Sequence, residues 1–294
     1  MSAIWRSLLF VPANNSKFIA KAHTRNADAI ILDLEDSVPD SELESARLGL
    51  RMAIPSVARG GADVVVRINN PDHLCVDDIQ AAVIDGVAAI MLPKARNAMH
   101  VKSVSEAIGK REHANGMTAG SVRLIPMIET AAAYFQALDI GIADPRNIAM
   151  NLGGEDFAAD VGMMPDTDIL AMPKQQVVIA ARAAGLIPLG LMGTVANFQD
   201  LKGIRRAAEM SRRFGIEGAS CVHPSNVPIL NVAFSPNLDE IDYAERVVEA
   251  YATATGNGSG AVMVDGKMID VPVVRRAELL LARWAAIKAR HPEG

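Results

Sequence analysis

Ionisable residues in this chain of 294 residues gather directly after short apolar runs. Leu32 is followed by Asp33-Leu34-Glu35-Asp36, and Val66 by Arg67-Ile68-Asn69. Leu92 precedes Pro93-Lys94, Ile128 precedes Glu129-Thr130, and Leu152 precedes Gly153-Gly154-Glu155-Asp156. Any one of these carboxylates can cap a following helix or pair with a neighbouring cation. Several of them brought to one place would repel unless a cation held them. Glu129 and Asp156 are the sharpest pair. Two carboxylates with water in the remaining positions suit Mg2+, with Mn2+ as a substitute. Zinc would want imidazole or thiolate, and the six histidines form no ligand-like array. Arg67 offers a planar fork to a carboxylate or a developing oxyanion. Gly153-Gly154 lets backbone N–H groups come close to a small anion. Together these residues describe a Mg2+-dependent enzyme for a small carboxylate or oxo acid.

A repeating pattern must position them. Runs rich in Val, Ile and Leu at 7–11, 27–32, 63–68, 87–92, 122–128, 147–152, 187–192 and 219–222 read as strands. Most are apolar on consecutive residues, as parallel strands covered on both faces should be. Helical periodicity fills the gaps at 16–26, 41–57, 76–85, 98–111, 131–138, 174–184 and 199–214. The alternation predicts an α/β fold, a (β/α)8 TIM barrel over residues 1–235. A doubly wound open sheet is the alternative, weakened because no Gly-x-Gly-x-x-Gly follows the first strand. A parallel barrel carries its chemistry at the C-terminal strand ends, where the charged clusters fall. Adjacent strands lie about 4.8 Å apart. Glu129 and Asp156, at the ends of strands five and six, can therefore converge on one ion, with Arg67 facing it across the mouth. Residues 236–294 break the pattern. A helix at 239–255, a glycine-rich run at 256–260, a strand-like piece at 261–264, the turn Asp265-Gly266 and a helix at 273–288 predict a C-terminal helical and hairpin extension on a hinge.

Composition narrows the class. Half of the residues are hydrophobic and 21% are charged, which excludes a disordered or collagen-like chain. Lys and Arg total 29 against 34 Asp and Glu, a net charge of −5 that argues against nucleic acid or an anionic membrane as the main partner. Cys75 and Cys221 are too few for a disulfide framework. The first apolar run stops at Pro12, too short for an export signal, and the longest uncharged stretch, 183–199, holds three glycines and a proline. A cytoplasmic protein is expected.

In order along the chain, the same segments resemble a known family. Arg6-Ser7-Leu8-Leu9-Phe10-Val11-Pro12, Leu32-Asp33-Leu34-Glu35-Asp36-Ser37-Val38, Val66-Arg67-Ile68-Asn69, Leu92-Pro93-Lys94 and Ile128-Glu129-Thr130 carry the likeness in the first half. Gly154-Glu155-Asp156-Phe157-Ala158-Ala159-Asp160-Val161-Gly162, Ala181-Arg182-Ala183-Ala184-Gly185, Val222-His223-Pro224-Ser225 and Asp265-Gly266-Lys267-Met268-Ile269-Asp270 with Pro272 carry it in the second. These blocks are similar to those of citrate lyase beta subunit-like and malyl-CoA lyase-like proteins of the HpcH/HpaI aldolase–citrate lyase family. The resemblance implies a Mg2+-dependent carbon–carbon lyase. It would cleave a 3-hydroxy-3-carboxyacyl-CoA thioester of the malyl or citramalyl type into an acyl-CoA and a 2-oxo acid, or join the two.

The resemblance further implies that Glu129 and Asp156 hold the metal, that Arg67 contacts the oxo-acid oxygen and that Glu35 lies by the metal's waters. Gly154 and Glu155 are expected beside the substrate. Asp270 is expected in a C-terminal lid over a neighbouring subunit's site, as general acid or base, and Phe10 and Lys21 near coenzyme A. A homo-oligomer, trimer or hexamer, follows. Two other readings share the barrel: a citrate lyase beta subunit acting on a citryl-acyl-carrier-protein thioester, and a non-catalytic scaffold that binds an oxo acid. One departure stands out. Many relatives carry an aspartate shortly after strand seven; here, within 189–197, Met192 takes its place and Asn197 replaces another acidic position, so the pocket is expected to differ. Lys94 reads as an anchor for mouth carboxylates, and Asp33 and Asp36 as partners of Arg67 or helix caps. His223 reads as a locally satisfied strand-end histidine, and Arg182 as a surface residue.

Overall fold

Consecutive apolar residues build eight parallel strands: β1 (Ser7–Pro12), β2 (Ala29–Asp33), β3 (Asp63–Arg67), β4 (Val87–Leu92), β5 (Arg123–Ile128), β6 (Ala149–Leu152), β7 (Ile187–Leu189) and β8 (Ala219–Cys221). These belong to a computed structural model that describes residues 3–70, 72–194 and 197–291. All five residues of β2 are buried, and β3 and β5 are buried beyond their first residue. That burial on both faces explains the unbroken apolar runs. Strands pair in sequence order from β1 to β7, and β8 pairs with β1. The last seam, between β7 and β8, is drawn together by Gly190 N–H donating to Gly218 O and Glu217 N–H donating to Pro188 O, both at 2.9 Å. Leu189 and Gly218 face each other there as a parallel bridge. The sheet is a nearly closed, TIM-type barrel, as the alternation predicts.

Helices α1 (Ser16–Ala22), α2 (Leu43–Ala58), α3 (Asp72–Ala82), α4 (Ala98–Ala114), α5 (Ala131–Tyr134), α6 (Ala137–Gly141), α7 (Gly154–Val161), α8 (Thr167–Ala183), α9 (Leu201–Arg213) and α10 (Val227–Ala233) fill the connections. Several boundaries differ from the sequence reading, α3 starting four residues early, and α7 and α10 are additional to it. Helix α1 stops before Asn26, which takes a left-handed φ of 56°. The helix expected at 131–138 is two short ones, α5 and α6. Helix α8 starts seven residues early and carries Pro173 inside it. Strand β7 ends at Leu189, because Gly190 and Gly193, with φ of 139° and 124°, turn the chain out of the ladder. Positions 195 and 196 of the following loop lie outside the described residues.

At the N-terminal strand ends, buried ion pairs hold the barrel floor. Arg6 grips Asp28 through Nε and Nη2, each at 2.8 Å, and Arg146 grips Glu112 through Nη1 at 2.8 Å and Nη2 at 2.6 Å. Fixed geometry at that face serves stability rather than chemistry.

The chain falls into two compact units, one spanning Trp5–Phe234 and one formed from Ser235 onward together with the residues before Trp5. The second unit contains α11 (Leu238–Gly256), a hairpin of β9 (Val262–Val264) and β10 (Lys267–Ile269), and α12 (Val271–Arg290). Asn237 and Glu240 close a reciprocal capping box on α11. Asp265 and Gly266 both have positive φ, 50° and 72°, the geometry of a two-residue hairpin turn matched to strand twist. Val247, Val264, Ile269 and Val274 pack together as this unit's own core. Among the described residues no helix is long and apolar enough to cross a membrane.

The barrel seam gives a direct test. A methyl group at Gly218 would lie 1.7 Å from the Trp5 carbonyl oxygen, so Gly218→Ala must push β1 and the seam apart. The variant is expected to lose roughly 3 kcal/mol and about 6–12 °C of thermal midpoint. An unchanged melting curve would show that the seam is not held this tightly.

Candidate active site

Strand register makes the centre of the site. Asp33 and Arg67 are the last residues of β2 and β3 and lie directly opposite each other. Arg67 consequently forks onto Asp33, Nε to Oδ1 at 2.7 Å and Nη2 to Oδ2 at 2.8 Å. Its Nη1 donates to Asp36 Oδ2 at 3.0 Å and forms an ion pair with Glu35 Oε2 at 2.8 Å, outside hydrogen-bond alignment. The Phe10 ring covers the guanidinium, its centroid 4.8 Å from Cζ. With five N–H groups and this set of partners, Arg67 keeps one Nη2 hydrogen uncommitted. Burial alone would raise the Asp33 carboxyl, but the hydrogen bonds and charge of Arg67 hold it below the ordinary carboxylate value. Glu35 shows the opposite balance: burial raises it, and Arg67 and Lys94 only partly offset that.

The same logic places Glu129. Ile128 and Leu152 are register partners at the ends of β5 and β6, so Glu129 and Gly153 stand side by side. A methyl at Gly153 would sit 2.2 Å from Glu129 Oε1; only glycine leaves room for that carboxylate. The other oxygen, Oε2, accepts a 2.6 Å hydrogen bond from Lys94 N–H. Lys94 presents that N–H from a left-handed conformation, φ 47°, a strain that tends to mark functional positions. Its Nζ donates to Glu35 Oε1 at 2.7 Å. Glu129 is only 2% exposed. Burial pushes its carboxyl up to about 7; the Lys94 hydrogen bond opposes this, and the charges of Glu35 and Asp156 add to it.

Asp156 and Glu155 sit in the first turn of α7, with Gly153 as its N-cap. They line, with Phe10, Arg67, Glu129 and Gly154, a cavity of about 400 Å3 at the C-terminal mouth. Asn151 and Lys174 complete it from β6 and α8. Asn151 Oδ1 is buried without a hydrogen-bond partner. Lys174 is 5% exposed, and its Nζ donates to the carbonyls of Leu191 and Gly193. Burial lowers its ammonium to about 8, against the opposing charge of Glu155.

Among the predicted site residues, Arg67, Glu129, Gly154, Glu155, Asp156 and Phe10 line this cavity, and Glu35 joins it through Arg67 and Lys94. Lys21 is exposed in the last turn of α1 and outside the cavity lining. Asp270 lies in the second unit as the N-cap of α12, its side chain making no capping hydrogen bond. Met192 is fully buried, its N–H held by Ser211 Oγ at 2.7 Å, whereas Asn197 is exposed. His223 bonds Ser225 Oγ at 2.7 Å and stacks on Phe198, away from the cavity lining. Sequence pattern alone does not single out Asn151 or Lys174. For Asn151 the available signal is a polar residue inside the apolar run 147–152, whereas Lys174 reads as an ordinary helix start.

Among the described residues no cluster of three or more His, Cys, Asp and Glu side chains is arranged to hold a metal ion. Two carboxylates are what the mouth supplies, and they fit a hard cation that keeps water in its other positions. The raised Glu129 carboxyl and the partnerless Asn151 oxygen mark a place where positive charge is wanting.

Hard oxygen donors around one clamped arginine, at the mouth of a parallel barrel, suit chemistry beside an oxo acid. Kinship with known proteins makes this chain an oxo-acid lyase, an enzyme that makes or breaks a carbon–carbon bond there. The chain belongs to the HpcH/HpaI aldolase/citrate lyase family, whose profile matches residues 6–224. It is 32% identical over 281 residues to the citrate lyase subunit beta of Haemophilus influenzae, covering 95% of this chain and 96% of that one. A (3S)-malyl-CoA thioesterase of Cereibacter sphaeroides is 32% identical over 288 residues, 97% of this chain and 96% of the relative. Among solved structures, the Mycobacterium tuberculosis protein CitE in complex with magnesium, acetoacetate and coenzyme A superposes with a TM-score of 0.78 at 28% identity, covering 97% of this chain and all of that one (100%).

The Glu129 environment has a measurable consequence. Its carboxyl titrates at about 7 in the folded chain against 4.5 ordinarily, so folding favours the protonated form. Stability is therefore full below 4.5, falls as pH rises to about 7, and stays reduced above. Glu129→Gln, which mimics the protonated form, is expected to stabilise the metal-free protein by up to about 3 kcal/mol at pH 8 and hardly at all at pH 4.5. Denaturant titrations of both proteins in chelator check this; an equal effect at the two pH values would contradict it.

Proposed function

We propose that this protein is a divalent-cation-dependent lyase for a 3-hydroxy-3-carboxyacyl-CoA thioester of the malyl or citramalyl type, releasing an acyl-CoA and a 2-oxo acid or running the condensation. The observation that carries this reading is Glu129: a carboxylate buried beside two others, with one oxygen over glycine and the other on an amide. Glu129 and Asp156 would hold Mg2+, or Mn2+ in its place. When bound, the ion supplies Lewis-acid stabilisation of the substrate oxygen that becomes the oxo group.

The chain's own residues do the rest. Arg67, immobilised by Asp33 and Asp36, puts a fixed positive charge and one free N–H at the oxygen that passes from hydroxyl to carbonyl. Glu35, ion-paired with Arg67 and hydrogen-bonded by Lys94 Nζ, would hold the cation's waters beside that oxygen. Backbone N–H groups of Gly154 and Glu155, unpaired in the first turn of α7, receive the carboxylate. As the hydroxyl gives up its proton to water held at Glu35 and the carbon–carbon bond breaks, the bond's electron pair passes to the thioester's α-carbon, which must gain a proton. Asp270 is the residue for that transfer, delivered from a neighbouring copy in a homotrimer or hexamer, and run in reverse it takes the proton from the acyl-CoA. Its carboxylate, unused by helix α12, supports this assignment. Phe10, and more remotely Lys21, border the side where the coenzyme A portion would lie.

The relative named as a thioesterase supports a second reading, hydrolysis of the thioester, and the citrate lyase relatives support a carrier-protein thioester. Malyl-CoA and citramalyl-CoA, assayed separately for glyoxylate or pyruvate and for free thiol, distinguish carbon–carbon cleavage from hydrolysis. Release of oxo acid is expected, abolished by chelator and reduced by at least about a thousandfold in Asp156→Ala with the fold intact. Asp270→Asn is expected to lower kcat about 10²–10⁴-fold while oxo-acid binding persists. Cation-independent turnover, or thiol release with no oxo acid, would overturn the lyase reading.

A further inference from the structure

Among the described cations lining the cavity, Lys174 alone has no carboxylate within ion-pair distance; Glu155 acts on it only from farther away. Arg67 has Asp33, Glu35 and Asp36. Lys174, equally buried, has only two neutral acceptors, the carbonyls of Leu191 and Gly193. An ammonium carries three N–H donors, so one is left over. A methyl built on Gly154 would lie 3.2 Å from Lys174 Nζ, so the ammonium stands against the first turn of α7, where backbone N–H groups are also unpaired. Two donor sets from different elements therefore meet at one spot in the cavity wall, and both favour negative charge.

We propose that Lys174 is a substrate-binding residue whose third N–H receives an oxygen of the substrate carboxylate at the start of α7, while its other two pin the loop after β7. One side chain thus couples recognition of the anion to the barrel seam: Leu191 and Gly193 flank Met192 in that loop, directly after Gly190, which bonds Gly218. A carboxylate suits the place better than a thioester carbonyl because the ammonium there has no ion-paired carboxylate, only the more distant charge of Glu155. This rests on the reading of the cavity as one for a carboxylate-bearing substrate.

The test is binding, without turnover. Wild type, Lys174→Met and Lys174→Arg are titrated calorimetrically with pyruvate and with the neutral pyruvamide, all in magnesium, and their thermal midpoints recorded. Lys174→Met is expected to weaken pyruvate roughly tenfold or more with pyruvamide unchanged, and Lys174→Arg to retain the preference for the anion. Equal loss of both ligands, or pyruvate binding as in wild type, overturns the proposal, as does a wild-type protein that ignores pyruvate. Should the methionine variant fail to fold, Gly154→Ala, which crowds the ammonium, is expected to weaken pyruvate selectively; unaltered affinity there also overturns it. A wild type that binds pyruvate yet splits no thioester would refute the lyase reading and leave the role of Lys174 standing.

Discussion

Like charges cannot crowd one small cavity without something between them, and this barrel mouth is built around that constraint. Asp33, Glu35, Asp36, Glu129 and Asp156 converge from two strand ends and one helix start, while the cations among them are Arg67 and Lys94. Asp33 and Arg67 resolve part of the conflict as register partners, gripping each other across β2 and β3. Lys94 resolves a second part, reaching Glu35 with its ammonium and Glu129 with its backbone N–H. What remains falls on Glu129 and Asp156: burial above all, with the charges of Glu35 and Asp156 adding to it, displaces the Glu129 carboxyl far upward from its ordinary value. A divalent cation is the simplest agent that relieves it, and the same cation is what an oxo acid needs in order to be held by two oxygens.

Rigid elements make this tension possible. Asp33 and Arg67 are the last residues of strands fixed by a nearly closed ladder, and Glu129 directly follows β5, so these three cannot retreat to solvent by a loop movement. Buried ion pairs on the opposite face fix the strand starts and leave the mouth free to carry strain. Gly153 and Lys94 illustrate the cost at the level of the backbone, one a residue with no side chain, the other a lysine in a left-handed turn. The α7 start then supplies anion-binding N–H groups within reach of both, and Lys174 backs them from α8. The proposed cation and anion subsites thus sit on adjacent elements, a spacing suited to a substrate whose carboxylate and oxygen lie on neighbouring carbons.

Much of this is legible in the amino-acid order because it depends on short-range rules. Apolar runs of strand length, each ending in charge, define the barrel and its mouth, and Asp33 and Asp36 are readable as partners for Arg67. The portions that escape such rules depend on tertiary context. Pro173 has the mark of a helix boundary, yet the chain runs through it in α8, sacrificing one backbone hydrogen bond that packing replaces; the same proline hides Lys174. Gly153-Gly154 has the composition of a loop, but α7 starts there because the register with Glu129 demands a missing side chain. Leu191 and Met192 are apolar enough to extend β7, whereas the glycines on either side turn them inward instead. For Asn151 the local pattern offers only a polar residue within an apolar run; its unpaired buried oxygen is set by the tertiary fold.

A crystal of the protein soaked in Mn2+ and measured for anomalous scattering tests the central claim most directly. One peak per chain, in contact with carboxylate oxygens of both Glu129 and Asp156, is the result this account requires. A map with the two side chains pointing apart and no peak between them, or with the ion bound elsewhere, would contradict it.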